Sequence, residues 1–392
     1  MSDGLVADWT EPGPVPVAPG VHRIPLPMPS DGLRAVNVYA IDDGDGLTMI
    51  DGGWAVAEAR TALDKALDEI GHGPGSIKRF LVTHAHRDHL TLAVQLRREF
   101  GTPIGLGEGE RATLAVITGK AKRHRTQVDL LRSAGASELA DLMMSGAGSQ
   151  RDRGDRGDRR GRRDRDGEGA RDDGADRAAV PYEEPDEWLG AGTIDLGGRA
   201  LRVVPTPGHT RGHIVFADHE AGILFAGDHV LPHITPSIGF EPVPSDGPLS
   251  DFLDSLARIR ALPDLTLLPA HGQVAASTHA RIGELVAHHD GRLAETTDAV
   301  TRLGSATAAE VANAITWTRR QRPFGSLDPF NQMLAVTETV AHLRLLVRAG
   351  TLQADGGDPV RYRLGPPAPD PSRAGARTPA RAEGCRDGSK HV

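Results

Sequence analysis

Thr83-His84-Ala85-His86-Arg87-Asp88-His89 is the stretch around which the rest of this chain is organised. Four side chains that commonly bind metals fall within six residues, directly after an apolar run at 77–82 that predicts a buried strand. Alternate side chains of a strand share a face, so His84 and His86 are expected to point the same way. An amphipathic helix follows and brings Asp88 and His89 to the same place. Imidazole and carboxylate groups at this density predict a site for zinc or a related divalent cation.

Length and composition limit the class of protein. The chain has 392 residues, of which 39% are hydrophobic, and this predicts two or three domains with a packed core. A formal net charge of -8 and an isoelectric point of about 6.1 provide no overall basic surface for nucleic acid. The single cysteine, Cys385, lies in a polar tail, so neither a disulfide framework nor a thiolate metal site is expected.

The start of the chain bears on where the protein is found. Residues 1–20 predict an extended leader that is acidic and rich in proline. This leader has neither the basic region nor the apolar region of a signal peptide, and no apolar run in the chain approaches transmembrane length. We therefore expect a soluble, cytoplasmic protein that has no membrane partner.

Segments rich in β-formers, with helices between them, occur both before and after a stretch of unusual composition. Residues 147–179 consist mainly of Arg, Asp and Gly, so we predict a disordered, charged insert that acts as an inert linker, with an RNA-binding segment as the alternative. The two β-rich halves together predict an α/β fold, an αββα sandwich over residues 21–275, with two sheet layers inside and helices outside.

A smaller unit follows the sandwich. Helical patterns cover 276–303, 307–317 and 328–349, and a hairpin is predicted over 351–364. Helix, helix and hairpin in this order are the outline of a winged helix, so residues 276–364 are predicted to form a helical, winged-helix domain. The remaining residues, 365–392, lack a core-forming pattern and predict a disordered tail.

Three further candidate ligands lie far along the sequence. His209, Asp228 and His271 each follow an apolar run and are flanked by small turn residues. Strand ends are where functional sites on α/β scaffolds converge, although any one of these residues alone would be weak evidence. With the opening stretch they make a set of five histidines and two aspartates.

The histidine-rich stretch, followed in order by these three residues, resembles the metal-binding residues of the metallo-β-lactamase-fold hydrolases over about residues 20–275. The resemblance implies an αββα metallo-β-lactamase sandwich that binds two divalent metal ions, most simply Zn2+, with Fe or Mn also acceptable. The metal ligands it implies are His84, His86 and His209 for one ion, Asp88, His89 and His271 for the other, and Asp228 as a bridge between them.

Three residues are assigned further roles. Asp88 is a candidate catalytic residue, because it could orient the metal-bound hydroxide as well as bind a metal. Asp51 resembles the aspartate that stands behind the site in this family, and its role of orienting a ligand histidine competes with that of a plain turn residue. His213 lies in a stretch similar to Gly-His-Thr-x-Gly-His of glyoxalase-II-like members, where a contact to a ligand or to substrate competes with strand packing.

The C-terminal unit is similar to that of the lactamase-β-like-protein-2 group, whose members include ribonuclease-like proteins and thioesterases that release polyketides. Arg319, Arg320 and Arg322 precede its long helix and are candidates for phosphate contacts, with exposed loop arginines as the plainer interpretation. Loop 229–240, directly after Asp228, is apolar and is a candidate wall of a substrate pocket, with a packed loop as the alternative.

These observations predict a dinuclear metal-dependent hydrolase that uses a metal-bound hydroxide on an ester, thioester or lactone. Its expected partner is a small-molecule or carrier-bound acyl substrate, and a homodimer is compatible with the sequence. One alternative is a metal-dependent ribonuclease or phosphodiesterase, for which RNA would be the partner. Another is a nucleic-acid-binding regulator with a structural metal site, although seven ligands exceed what a closed structural site needs.

Overall fold

The computed structural model describes residues 8–29, 32–120, 127–145 and 182–366. The predicted insert at 147–179 and nearly all of the predicted tail lie outside these residues. The first sheet has seven strands that neighbour one another in chain order. They are β1 (Val15–Ala18), β2 (Val21–Pro27), β3 (Ala35–Asp42), β4 (Leu47–Ile50), β5 (Ile77–Val82), β6 (Ile104–Gly107) and β7 (Glu187–Leu189). Strands β1 to β4 pair antiparallel, and β4 to β7 pair parallel.

The second sheet has five strands in the order β12-β11-β10-β9-β8. They are β8 (Gly192–Asp195), β9 (Ala200–Pro205), β10 (Ile214–Asp218), β11 (Ile223–Gly227) and β12 (Thr266–Pro269). Apolar side chains of the two sheets meet in one layer, in which Tyr39 and Leu81 of the first sheet join Phe216 and Phe225 of the second. The two sheets therefore pack face to face, as the two-layer pattern predicts.

Helices cover the outer face of each sheet. On the first sheet, α1 (Ala57–Glu69) and α2 (Arg87–Phe100) bury one apolar stripe each. On the second sheet, α6 (Pro248–Arg260) and α7 (Thr278–Leu303) do the same. Amphipathic periodicity explains these positions, because a helix with one apolar face is stable only when that face is covered. The predicted αββα sandwich is confirmed.

The smaller unit forms a separate core around a long helix. Its elements are β13 (Ala306–Thr307), α8 (Ala308–Ala314), β14 (Thr316–Trp317), β15 (Arg322–Pro323), α9 (Pro329–Arg348), β16 (Leu352–Ala354) and β17 (Arg361–Leu364). Strands β13, β17 and β16 form an antiparallel sheet, and β14 pairs with β15 as a separate hairpin. The 351–364 hairpin and the predicted helices are present, except that the helix predicted over 307–317 ends at Ala314 and its last two residues form β14. The assignment of this unit as a winged helix stays a prediction.

Two short helices cross the predicted domain boundary. The sequence predicts one helical pattern at 125–144. In the structure, α3 (Arg111–Ile117) is followed by two helices in this segment, α4 (Gln127–Ser133) and α5 (Ser137–Met144). Leu131 and Leu139 of these helices pack in the core of the smaller unit. Part of the segment before the insert therefore supports the C-terminal unit, although it precedes residue 275 in sequence.

The predicted leader also contributes to the sandwich, because its residues 15–18 form β1 and pair with β2 at the edge of the first sheet. Among the described residues, none of the helices combines the length and apolar character that crossing a bilayer requires.

Candidate metal centre

All seven predicted ligands lie where secondary-structure elements begin or end. His84 and His86 follow β5, and Asp88 and His89 lie in the first turn of α2. His209, Asp228 and His271 follow β9, β11 and β12 of the second sheet. The site is therefore assembled at one edge of the sandwich from both sheets, which explains why its ligands are so widely separated in sequence.

The first cluster consists of His84, His86, His209 and Asp228, whose ligand atoms all lie within 4.8 Å of one another. Nδ1 of His86 lies 2.9 Å from Nε2 of His84 and 3.1 Å from Nε2 of His209. Oδ2 of Asp228 completes the group, 3.5 Å from Nε2 of His209. Three ring nitrogens and one carboxylate oxygen around one centre form a donor set that suits a tetrahedral zinc ion.

The second cluster consists of Asp88, His89 and His271. Oδ2 of Asp88 lies 3.6 Å from Nε2 of His89 and 3.4 Å from Nε2 of His271. The other carboxylate oxygen of Asp228, Oδ1, lies 3.6 Å and 3.3 Å from the same two nitrogens. One carboxylate thus faces both clusters, with one oxygen toward each, which is the arrangement of a bridging ligand.

Four of the five histidines are held from behind through Nδ1. His84 donates to the Thr83 hydroxyl at 3.1 Å and His89 to the Asp51 carboxylate at 2.9 Å. His209 and His271 donate to backbone carbonyl oxygens, those of Ser237 at 2.9 Å and Ala35 at 2.8 Å. An Nδ1–H engaged in this way leaves the Nε2 lone pair free, so the hydrogen bonds fix the tautomer that can bind a metal.

Asp51 supports both clusters at once. Oδ2 accepts the hydrogen bond from His89, while Oδ1 accepts one from the backbone N–H of Thr83 at 2.7 Å. The Thr83 hydroxyl, which accepts from His84, also donates to the Asp51 carboxylate at 3.0 Å. Asp51 has a φ of 60°, a left-handed conformation that aspartate and asparagine tolerate better than most residues. In the structure Asp51 therefore contacts His89, one of the histidines predicted to bind a metal.

His213 is packed directly behind the bridging aspartate. Its Nε2 accepts a hydrogen bond from the backbone N–H of Asp228 at 3.2 Å, and its Nδ1 donates to the Thr206 hydroxyl at 2.8 Å. Both ring nitrogens are thereby used, and the side chain is buried. His213 holds the loop that carries Asp228 and does not itself join either cluster.

The electrostatic environments of the two clusters differ. In the first, burial lowers the pKa of His86 to about 3 and that of His209 to about 4. Burial and neighbouring imidazoles also place the pKa of His84 well below its ordinary value. These histidines are neutral at physiological pH, which is the form that binds metals.

The second cluster instead favours a positive charge at its centre. Burial alone would lower the pKa of His89, but the surrounding carboxylates, led by Asp51, raise it to about 10. Burial would raise the pKa of Asp88, but the neighbouring His89 and His271 hold it well below its ordinary value. The ionised Asp88 carboxylate thus lies between two imidazoles in surroundings that favour positive charge. A divalent cation at this position would supply that charge.

Buried atoms without partners give a direct test of whether the residues fit two metals. Within the described ranges, Nε2 of His89, Nε2 of His271 and Oδ1 of Asp228 are buried and make no hydrogen bond. A buried polar atom without a partner is costly, and such atoms are rare in folded proteins. All three point into the second cluster, so the donor set fits a cation at that position.

Sequence patterns missed a buried carboxylate that connects the ligand loops. Glu110 accepts a hydrogen bond from the Thr210 hydroxyl, and the nearby backbone N–H groups of Ala85 and Gly212 favour its charged form. Ala85 separates two ligands, and Thr210 follows another, so this carboxylate holds both loops together. Burial raises the pKa of Glu110 to about 7, and burial and Glu110 raise that of Glu241 nearby to about 8. Only the packing of distant loops reveals this role.

Other residues singled out from the sequence lie around the centre. Arg87 is exposed and stacks on the Trp54 ring, with 4.3 Å between its guanidinium carbon and the ring centroid. Loop 229–240 borders the site, since its Ser237 carbonyl accepts from His209. Arg319, Arg320 and Arg322 line a cleft on the far side of the same loop.

Comparison with known proteins gives partial matches to curated sequences. Lactamase-like protein nscB of Arthroderma gypseum is 36% identical over 99 residues, which span 25% of this chain and 29% of that protein. Hydroxyacylglutathione hydrolase of Erythrobacter litoralis is 40% identical over 94 residues, 24% of this chain and 35% of that protein. The chain thus spans about a third of the length of these relatives.

Two solved structures match over most of their length. A metallo-beta-lactamase family protein from Thermus thermophilus is 27% identical with a TM-score of 0.68, and the match covers 88% of this chain and 99% of that one. A beta-lactamase domain protein from Burkholderia ambifaria is 26% identical with a TM-score of 0.66, covering 91% and 97% of the two chains. The family model described as the metallo-beta-lactamase superfamily matches residues 31–271, more than half of the chain. Fold, ligand clusters and family model agree, and the chain belongs to the metallo-beta-lactamase superfamily.

Proposed function

We propose that this protein is a dinuclear metal-dependent hydrolase that acts on an ester, thioester or lactone. The observation that carries the proposal is the Asp228 carboxylate, which presents one oxygen to each of two ligand clusters. Five imidazoles and two carboxylates form a donor set for zinc, and iron or manganese would also be accepted. Zinc is the metal we propose.

The side chains of the metal centre would have different roles in hydrolysis. Two divalent cations held here would activate a water molecule for attack and polarise the reacting oxygen of the substrate. Asp88 keeps an ionised carboxylate beside that position, where it can accept a hydrogen bond and orient the attacking water. Asp51 and His213 fix the ligands without reaching the substrate, and the burial of both clusters limits competing water.

A thioester is the substrate we favour within this class. Hydroxyacylglutathione hydrolase acts, as its name states, on a thiol-linked acyl compound, and it aligns with 24% of this chain. The motif around His209 and His213 supports the same choice, because it resembles that of glyoxalase-II-like proteins. The acidic balance of the whole chain also favours a small substrate over a nucleic acid.

Ribonuclease activity is the second candidate, and the exposed arginines Arg319 and Arg320 favour it. Such an activity would need a basic groove that leads RNA to the metals. The cleft that these arginines line also contains Glu338, together with Glu284 and Glu295, which pair with Arg281 and Arg292, so its basic side chains do not form a continuous groove. This mixture of charges leaves thioester hydrolysis as the better-supported activity.

The test is a paired assay on purified protein whose metal content has been quantified. Thioesters, lactones and a single-stranded RNA are offered separately, each with and without a chelator. We expect thioester or lactone turnover that the chelator abolishes, while the RNA stays intact. Chelator-sensitive RNA cleavage without acyl turnover would contradict the proposal and favour the second candidate.

A further inference from the structure

A large cleft lies between the sandwich and the C-terminal unit. Its volume is about 970 Å³, and its walls come from loop 229–240, α7, the β14–β15 hairpin and α9. Binding sites for cofactor-sized molecules range from roughly 300 to 1,000 Å³. The cleft is therefore large enough for a bound molecule of that size. The metal ligands are held in place by other contacts, so the cleft is not needed to position them.

One wall of this cleft is shared with the metal centre. Ser237 lines the cleft, and its carbonyl oxygen accepts the hydrogen bond from the ligand His209. His233 also lines the cleft, and it lies with Pro232 against Gly272, the neighbour of the ligand His271. A molecule held in the cleft would consequently lie one loop away from both clusters.

Most charged groups deeper in the cleft are already paired. Arg281 forms an ion pair with Glu284. Arg292 pairs with Glu295 at 2.7 Å and stacks on the Trp317 ring at 4.3 Å. These pairs neutralise the α7 wall and leave little charge there to attract a ligand.

The rim formed by the hairpin is different. Arg319 and Arg320 are exposed, and within the part of the chain that the structure describes neither guanidinium has a hydrogen bond or an ion pair. They occupy the turn between β14 and β15, which Gln321 closes by donating its backbone N–H to the Thr318 carbonyl at 3.1 Å. Thr318 and Gln321 both have positive φ values, 64° and 52°. The turn thus presents two adjacent, exposed guanidinium groups on the side of the cleft that the hairpin forms.

We propose that this cleft binds the phosphorylated nucleotide end of a nucleotide-linked acyl thioester, such as an acyl coenzyme A, with Arg319 and Arg320 on its phosphates. This inference rests on the proposed thioesterase function and names its substrate class. Guanidinium groups bind phosphate through paired, charge-assisted hydrogen bonds. A neutral wall with a cationic rim suits a molecule whose phosphates lie at one end and whose thioester lies at the other.

The same features argue against a strand of RNA. A nucleic-acid track needs positive charge along its whole length, together with aromatic platforms for the bases. Here the two unpaired guanidinium groups both lie on the hairpin, and the ring of Trp317 is buried and covered by Arg292. The cleft is therefore matched to a compact ligand.

Binding is tested first, with adenosine 3′,5′-bisphosphate as the probe, because it carries the phosphates but has no thiol that could bind the metals. Calorimetry on the metal-loaded full chain should show saturable binding, weakened about tenfold or more in R319A/R320A. The control R260A/R363A removes two exposed arginines outside the cleft and should bind as the wild type does. Absence of binding, or equal weakening in both double variants, would overturn the proposal, and so would binding of an RNA oligonucleotide in place of the probe.

Enzyme kinetics then distinguish substrate binding in the cleft from catalysis at the metal centre. The same acyl group is offered on coenzyme A and on N-acetylcysteamine, which lacks the nucleotide. We expect R319A/R320A to raise KM for the coenzyme A thioester alone and to leave kcat unchanged. Equal effects on both thioesters would overturn the assignment of the nucleotide to the cleft. Probe binding without turnover of either thioester would support the cleft and contradict the proposed thioesterase activity.

Discussion

At the scale of single residues, the centre depends on groups that never touch a metal. Asp51 connects His89 to the backbone and hydroxyl of Thr83, which in turn holds His84. Glu110 connects the loops that carry the ligands of the first cluster. The role of Asp51 was suggested by the family resemblance. That of Glu110 was not, because it depends on contacts with residues about 25 and 100 positions away.

Replacing Asp51 with asparagine should weaken metal binding without unfolding the protein. Asparagine tolerates the left-handed backbone at this position, but it removes the charge that orients His89. Loss of such an outer partner typically lowers metal affinity by about 10-fold to 100-fold. Competition with a chromogenic chelator measures the affinity, and D290N, a change at an exposed aspartate of α7, serves as the control. Unchanged affinity in D51N would show that Asp51 is only a turn residue.

Glu110 should make the stability of the protein depend on pH. Its pKa in the folded state is about 7, above the ordinary value of 4.5, so the folded state binds a proton more tightly than the unfolded state does. Ionisation therefore destabilises the fold progressively as the pH rises from about 4.5 to about 7, by about 3 kcal/mol in total. In E110Q this penalty is absent, so its stability relative to the wild type should increase over that range.

Urea unfolding at several pH values measures this difference directly. E108Q removes an exposed carboxylate two residues away and should follow the wild type at every pH. A difference in unfolding free energy between E110Q and the wild type that stays constant with pH would contradict the role assigned to Glu110.

At the scale of elements, the backbones of two loops are in direct contact beside the metal centre. One consists of the last residue of β6, Gly107, and the single 3-10 turn at 108–110, and the other is the turn at 211–213 before β10. A Cβ at Gly212 would lie 2.0 Å from the backbone nitrogen of Glu110, and one at Gly107 would lie 2.1 Å from the carbonyl oxygen of Gly212. Only glycine allows this approach, which brings Glu110 within reach of the ligand loops.

Replacing Gly212 with alanine should therefore destabilise the protein by about 1–3 kcal/mol or more, because rigid backbone atoms occupy the space that the methyl group needs. The matched control is G283A, since Gly283 lies in α7 with open space around it. That change should stabilise the helix by about 0.5–1 kcal/mol. Chemical denaturation measures both variants, and a neutral G212A would mean that the two loops separate easily.

The positions of the helices and strands were largely predictable from the sequence, but the elements against which they pack were not. The sequence predicts strands at 193–196, 199–204, 213–217, 222–226 and 265–269. Each lies within about one residue of a strand of the second sheet, because apolar runs and turn residues are local properties of the sequence. The packing of α4 and α5 against α9 was missed. An apolar stripe indicates that one face of a helix is buried, but it does not indicate which element covers that face. The break between Ser133 and Ser137, in which Gly135 has a φ of 82°, was missed for a similar reason.

At the scale of the whole molecule, the site exists only because two sheets meet along one edge of the sandwich. The opening stretch lies on the first sheet, while His209, Asp228 and His271 lie on the second. Each set alone supplies an incomplete site, and Asp228 is the residue that joins them. Residue types and strand ends predict all seven members, but their division into two clusters followed from family resemblance and needed the three-dimensional structure to be seen.

The metal content of the wild type, H86A and D228A, measured by mass spectrometry on protein purified with excess zinc, tests this account most directly. We predict two ions per chain in the wild type and about one in H86A, because that change removes a ligand from the first cluster alone. D228A should retain less than one, since both clusters lose a ligand, and all hydrolysis should cease in both variants. Two ions retained in D228A, or a single ion in the wild type, would contradict a centre in which Asp228 bridges two metals.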